Sequence, residues 1–337
     1  GAHSFHRDAI SSRKPVTSAP LTAPGSPTGT AATDAATPLA DAPAWQRIAA
    51  IVVTHHSAGV IAACLRGLAP AGQIVLVDNA SDDDTLAIAA REAPGATVIA
   101  NRVGVGYGNG VNCALEHIDR EFALLANPDS ILRPGAVTAL VAAADAWPEA
   151  ALFGPTVLAP DGSVELSHDV PLFERRAYGR RDGEAAPSGP CSTEFLSGAV
   201  MLVRTAALRE LGGFDPAFFL YYEDDDFCLR LRHAGHAIVL VPAAEAEHVG
   251  GGSVRVSAHY YWEKWWHMAW SRLYFEEKHR GAAARRRLAW QQALRFTGKT
   301  LGDLLTLNRR KAWRDLARLA GTLGYMLGRR ASRTVDY

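Results

Sequence analysis

Cysteine is scarce in this 337-residue chain, and none of the four, Cys64, Cys113, Cys191 and Cys228, stands in a C-x-x-C pair. That pattern counts against a disulfide framework and fits a reduced, cytoplasmic protein. No stretch reaches the roughly 18 uninterrupted apolar residues of a membrane span. The first residues lack an apolar leader core, so no signal peptide is expected. Net charge is also missing, because 35 Lys and Arg balance 35 Asp and Glu. No nucleic-acid partner is therefore expected. The balance hides a split. From Arg272 onward 16 Lys and Arg face 5 Asp and Glu, a net of +11, which leaves −11 for the rest. A basic tail behind an acidic region suggests an anionic surface such as lipid headgroups, or else a solvated basic helix. No internal repeat is visible.

What is present is a chain 48 % apolar, enough to bury a substantial core. Residues 1–44 are rich in Ala, Pro, Ser, Thr and Gly and cannot repay their ordering entropy, so they read as a disordered N-terminal segment. Residues 45–258 read as one folded domain. Ile48–Thr54 and Gln73–Asp78 are continuous apolar runs of the kind that form buried parallel strands. Thr97–Ala100 and Phe122–Leu125 read as two more. A helix is expected over about Val60–Leu68, and another capped by Ser81 with Asp82, Asp83 and Asp84 in its first turn. Strands alternating with helices predict a mostly parallel α/β sheet flanked by helices, with ligands beyond the carboxyl ends of the strands. Residues from about 154 to 190 are turn-rich. Residues 259–337 read as a helical, basic extension.

Asp78, followed by Asn79, stands where it can hydrogen-bond a nucleobase or ribose, or close an Asx turn. Gly104, Gly106, Gly108 and Gly110 surround Tyr107 and precede Asn112; closely spaced glycines admit an anion to backbone N–H groups or simply make a turn. Asn127-Pro128-Asp129 follows an apolar strand. Asp129 there can bind a divalent cation that also takes diphosphate oxygens, since Mg²⁺ uses only one or two protein carboxylates, or it can cap a helix from Pro134 onward. Four consecutive carboxylates, Glu223, Asp224, Asp225 and Asp226, open an apolar-faced helix. The dipole favours them there, and their crowding raises the pKa of some of them, which suits a general base. His248 precedes a glycine run at residues 250–252, which suits a ligand or phosphate role. His55-His56 suggests zinc, but no further His or Cys lies at ligand spacing.

Taken in order, Val52-Val53-Thr54, Val77-Asp78-Asn79-Ala80-Ser81, Gly106 to Asn112, Leu125 to Asp129, Gly198-Ala199, Gly212 to Asp215, Phe219 to Asp226 and His248 resemble the family 2 glycosyltransferases of GT-A fold, in their rhamnosyltransferase-like branch. The resemblance covers about residues 48–255. It implies that Thr54, Asp78 and Asn79 hold the nucleoside, with Gly106, Tyr107, Asn112 and Asn127 completing the nucleotide-sugar site. It implies Asp129 and His248 as contacts to a divalent metal, Mn or Mg, and Asp224 as catalytic base with Glu223 and Asp226 beside it. His55-His56 departs from the family's usual Tyr-Asn. The implied reaction is inverting transfer, best matched to L-rhamnose from dTDP-rhamnose, onto a glycan or lipid-linked acceptor of the cell envelope.

Two rival readings are a sugar-nucleotide pyrophosphorylase and a non-catalytic membrane-associated module. The first wants a basic phosphate loop, and residues 55–59 supply no Lys or Arg. Trp262, Trp265, Trp266 and Trp270 cluster on one helical side, as core or as an acceptor-site wall. Leu316, Leu319, Ala320, Leu323 and Leu327 recur at helical spacing beside Arg309, Arg310, Lys311, Arg314 and Arg318. That stripe fits an anionic membrane surface, a dimer contact, or packing on the core. The expected location is the cytoplasm, peripheral on the inner face of the plasma membrane.

Overall fold

A computed structural model describes residues 42–165, 167–168, 172–173, 187–249 and 257–331. The N-terminal expectation over residues 1–41, most of the turn-rich stretch and the glycine run after His248 lie outside the described residues. The elements are α1 (Ala42–Gln46), β1 (Ile48–Thr54), α2 (Ile61–Leu68), β2 (Gln73–Asn79), α3 (Thr85–Glu92), β3 (Thr97–Asn101), α4 (Tyr107–Ala114), β4 (Phe122–Ala126), β5 (Ser130–Leu132), α5 (Ala136–Ala146), β6 (Ala150–Leu158), β7 (Cys191–Ser192), β8 (Val200–Arg204), α6 (Thr205–Glu210), α7 (Glu223–His233), β9 (Ala237–His248), α8 (Ala258–Leu305) and α9 (Arg309–Met326).

The sheet runs β3-β2-β1-β4-β8-β6-β9-β5, with β7 paired to β9. Strands β1 to β4 are parallel to one another. Strand β8 joins β4 antiparallel, while β6 and β9 pair parallel. Every residue of β1 is buried, because both faces of the sheet are covered. The period-2 pleat divides its side chains between two cores. Ala49, Ile51 and Val53 pack with α4 and α7, and Ile48, Ala50 and Val52 pack with α2, α3 and α5. The parallel strands therefore all deliver their carboxyl ends to one edge.

Two local expectations are corrected. Helix α3 starts at Thr85, and Ser81 does not cap it: the Ser81 hydroxyl and amide are both taken by Asp78. Asp129 caps no helix either. Strand β5 intervenes, and α5 begins only at Ala136.

The C-terminal helices are fastened to the sheet domain. Ser257 caps α8 by accepting from the Tyr260 amide. Glycine at 281 (φ 83°, ψ 170°) breaks α8 into two helical halves. The first half reaches the core through Phe275 and through a hydrogen bond from Ser271 Oγ to the Leu220 carbonyl (2.9 Å). Helix α9 folds back onto that half. Gly321 lies so close that a Cβ there would stand 2.2 Å from the Trp266 carbonyl oxygen. Of the α8 tryptophans only Trp270 is buried, its Nε1 donating to the Arg329 carbonyl, while half-buried Trp262 meets exposed Trp313 in a tilted contact.

Candidate active site

A cavity of about 860 Å³ opens at the carboxyl edge of β1, β2 and β4. On the β1–β2 side, Thr54 Oγ1 donates to Asp78 Oδ1 (2.8 Å), and Ser81 Oγ donates to the same oxygen (2.6 Å). The Ser81 amide donates to Asp78 Oδ2 (2.9 Å). Asp78 is therefore both strand-end carboxylate and Asx-type lock, and it stands behind the cavity wall at 1 % exposure. Thr54 and Asn79 do line the cavity. Asn79 Nδ2 donates to the Gly106 carbonyl (3.0 Å), and its Oδ1 accepts from Asn101 Nδ2 (3.0 Å). These bonds fix the loop that carries Gly106 and Tyr107 into the lining. Gly106 has φ 88°, and a Cβ there would stand 2.0 Å from the Phe219 carbonyl oxygen, so only glycine fits. Tyr107 Oη donates to the Gly198 carbonyl (3.2 Å), and burial raises its pKa above the ordinary phenol range. Asn112 does not reach the cavity. Its amide is spent on the carbonyl and N–H of Phe214 (2.8 Å each), which ties α4 to the loop before α7.

Asp129 immediately precedes β5 and His248 ends β9, and the antiparallel pairing of Ser130 with His248 brings them together. His248 Nε2 lies 3.5 Å from Asp129 Oδ1. Its Nδ1 donates to Glu165 Oε2 (3.2 Å), a partner that sequence spacing did not reveal. Burial lowers the His248 pKa, but the two carboxylates outweigh it and leave the imidazole above its ordinary value. Among the described residues no cluster of three or more His, Cys, Asp and Glu could hold a metal by itself. One buried carboxylate and one imidazole backed by a second carboxylate nevertheless fit a divalent cation whose other ligands are phosphate oxygens and water. Asn127 joins them in the lining.

The acidic run behaves less uniformly than its sequence suggests. Tyr221 and Tyr222 both adopt left-handed φ values (67° and 69°) and turn the chain so that α7 starts at the cavity. Two such non-glycine residues in succession cost about 1–3 kcal/mol each, which the packing around them must offset. Glu223 and Asp224 line the cavity. Asp224 is oriented by backbone donors, the Gly198 amide to Oδ2 (3.2 Å) and the Asp225 amide to Oδ1 (3.0 Å). Asp226 points elsewhere. It is fully buried and meets Arg230 Nε (2.8 Å), Lys278 Nζ (2.7 Å) and His279 Nε2 (2.8 Å). Crowding was expected to raise pKa values along this run. For Asp226 burial does push upward, but the His279 and Lys278 hydrogen bonds and the Lys278 and Arg230 charges together hold it below the ordinary carboxylate range. It is a structural anchor between α7 and α8 and, unlike Glu223 and Asp224, does not line the cavity.

The far wall belongs to α8 and α9; the sequence reading offered the tryptophans of α8 as an acceptor-site wall, but other residues of that helix line the cavity. Tyr260, Lys264, Met268 and Arg272 recur every fourth residue along one face of α8 and all line the cavity. Only that spacing, read against an acidic partner surface, could have signalled them. Gln292, Phe296 and Arg318 extend the lining.

The family model described as "Glycosyltransferase like family 2" matches residues 43–293. A curated relative, the N-acetylglucosaminyl-diphospho-decaprenol L-rhamnosyltransferase of Mycobacterium tuberculosis, is 33 % identical over 201 residues, which cover 52 % of this chain and 66 % of the relative. The chain thus spans just under two thirds of that relative's length. The rhamnosyltransferase WbbL of Escherichia coli K12 is 44 % identical over 55 residues, covering 16 % of this chain and 21 % of that protein. In fold the chain is similar to the mannosyltransferase PcManGT of Pyrobaculum calidifontis, solved with GDP-Man and Mn²⁺. The TM-score is 0.51 at 15 % identity, covering 84 % of this chain and 87 % of that one.

Proposed function

Since this chain belongs to the family 2 glycosyltransferases and carries their GT-A fold, we propose that it transfers L-rhamnose from dTDP-L-rhamnose, with inversion, to a hydroxyl of a lipid-linked glycan in cell-envelope polysaccharide synthesis. The observation that carries this reading is that one cavity is lined by two separately held carboxylates: Asp129 with His248 at the strand ends, and Asp224 at the start of α7. The relatives' printed names support the sugar and the lipid-linked acceptor. The pyrophosphorylase reading has no comparable support.

Thr54, Asn79 and the Gly106 loop bind the nucleotide portion, and Asp129 and His248 would hold a divalent cation. When bound, that cation neutralises charge on the diphosphate. Asp224, fixed by two backbone N–H groups, accepts the proton of the attacking hydroxyl. The hydroxyl oxygen bonds to the anomeric carbon as the bond to the diphosphate oxygen breaks, and the nucleotide leaves with that electron pair. A base on the face opposite the leaving group makes this one displacement through an oxocarbenium-like state, hence inversion. Glu223, also in the wall, adds negative charge that favours this state. A mass-spectrometric panel of sugar nucleotides, with and without Mn²⁺, tests the reading. Transfer or donor hydrolysis should be strongest with dTDP-rhamnose and Mn²⁺; turnover confined to another sugar nucleotide would refute the donor.

The membrane part of the proposal rests on the outer face of the helical tail. No helix among the described residues is long and apolar enough to cross a membrane. Trp290 (61 % exposed), Leu294 (72 %), Leu301 (58 %) and Leu305 (86 %) instead form a stripe spaced four, seven and four residues apart. Exposed Arg286, Arg287, Arg295 and Lys299 flank it. An apolar stripe edged by cations suits an anionic lipid surface. This stripe lies on the second half of α8; of the expected stripe at the C-terminal helix, Leu316, Leu323 and Leu327 are exposed and Leu319 and Ala320 half-buried.

A further inference from the structure

The cavity has two chemically opposite walls. Its sheet side carries Asp129, Glu223 and Asp224, and its helical side carries Lys264, Arg272 and Arg318. Arg318 is already engaged: Nη1 donates to the buried Asp315 (3.0 Å), and the guanidinium lies 3.9 Å from the centre of the Trp265 ring. Lys264 and Arg272 differ. Among the described residues neither has a carboxylate partner or a hydrogen bond; Lys264 has only the Trp265 ring at 5.7 Å. Both are half-buried. Half-buried cations lining a cavity without counter-ions carry an unrecovered desolvation cost, which an anionic ligand would recover. Burial lowers the Lys264 pKa, and a bound anion would act in the opposite direction.

Their placement sets which groups a ligand in the cavity can meet together. Eight residues of helix separate their Cα atoms by about 12 Å, so that two long side chains can converge on a group between them. Arg272 follows Ser271, whose hydroxyl is bonded to the Leu220 carbonyl in the segment leading to Asp224. Met268 lies one turn from each of the two cations on the same face, Phe296 also lines the cavity, and the second half of α8 carries the exposed apolar stripe. The lining therefore offers a carboxylate, two cations and apolar side chains, and the same helix carries an apolar surface. A sugar hydroxyl, a phosphate or diphosphate, and a hydrocarbon chain match those three kinds of group. The nucleotide end, with Thr54, Asn79 and the Gly106 loop, lies on the other wall.

We infer that Lys264 and Arg272 form a phosphate subsite for the acceptor, which is a sugar joined to a hydrocarbon through phosphate. The inference rests on the transfer reaction proposed above and assigns its acceptor-recognition residues.

The test is titration calorimetry of the full chain with farnesyl diphosphate while the donor pocket is saturated with dTDP. Binding is expected, and Lys264→Met or Arg272→Met should each weaken it roughly 10- to 100-fold, the worth of one charge-assisted contact of about 1.5–3 kcal/mol. Arg272→Lys should recover part of the loss, and dTDP affinity should stay within about twofold of the parent value because the pair does not touch the donor. Melting curves of the same variants separate loss of the subsite from loss of the fold. Equal farnesyl diphosphate affinity in parent and variants overturns the inference, as does equal binding of farnesol, which lacks phosphate. A loss confined to dTDP overturns it too, by moving the pair to the donor. The outcomes separate from the parent reading: a chain that transfers sugar but does not bind farnesyl diphosphate keeps the reaction and loses the subsite. A chain that binds it through this pair and transfers nothing keeps the subsite and loses the reaction.

Discussion

Asp226→Asn removes one negative charge from a point where three cationic or ionisable side chains converge. Asp226 is fully buried, while Arg230, Lys278 and His279 have side-chain exposures of 18 %, 25 % and 7 %. Removing one partner of a buried ionic group costs about 3–5 kcal/mol, because the others stay desolvated and unpaired. Lys278 keeps a second partner, Asp215 at 2.5 Å, and the new amide oxygen can still accept one hydrogen bond. The lower end, about 3 kcal/mol, is therefore expected, which lowers Tm by roughly 6–12 °C for a domain of this size. The pH dependence has a definite sign. A depressed carboxylate pKa contributes stability that is present above the unfolded value of about 3.9 and is lost as pH falls through the lower folded value. The gap between parent and variant should stay constant from about pH 8 to about pH 5 and narrow below about pH 4. Differential scanning calorimetry across that range measures it. A variant with parental Tm and kcat reduced about 100-fold would refute the anchoring argument and return Asp226 to the chemistry.

Asp224→Asn should lower kcat by about 10²–10⁴-fold with donor affinity little changed, because it removes the proton acceptor alone; near-parental turnover would count decisively against it as the base. Asp129→Ala should abolish the Mn²⁺-dependent part of donor binding in calorimetry, whereas equal donor affinity in EDTA and Mn²⁺ for the parent protein would rule out a cation there. Gly106→Ala should destabilise by roughly 2–4 kcal/mol through left-handed strain and backbone collision, and a parental melting curve would show that the loop can move away. The doubly substituted Leu294→Asp, Leu305→Asp chain, altered only at exposed positions, should lose low-salt flotation with anionic liposomes that the parent shows; equal flotation, or none in either, removes the stripe as a lipid contact.

The strands were legible in the sequence because burial on both faces demands unbroken apolar runs, and Ile48–Thr54 and Phe122–Ala126 obey that demand. Thr54, Asn79, Asp129, Glu223 and Asp224 were legible because strand ends and helix starts are fixed by the same local signals that mark them. Ser81 misled. It has the chemistry of a helix cap, but Asp78, three residues earlier, competes for its hydroxyl and amide. Asp226 misled for a different reason. Two of the cations that claim it lie about fifty positions further along, and no local pattern reports such a contact. Asn112 and the α8 wall were hidden likewise, since their roles depend on where a distant loop or helix is docked.

Gly281 has a consequence for how such a chain can diversify. The residues before it, Lys278 and His279, are bolted to α7 two positions beyond Asp224. The residues after it carry the exposed leucines and arginines. A left-handed glycine between them works as a seam, letting the second half of the helix tilt or change its sequence without levering on Asp224. A chimaera that takes another protein's tail should therefore be joined at this glycine. A join near residue 258, where the helical composition begins, would remove Phe275, Lys278 and His279 from the catalytic domain and tear out part of its core.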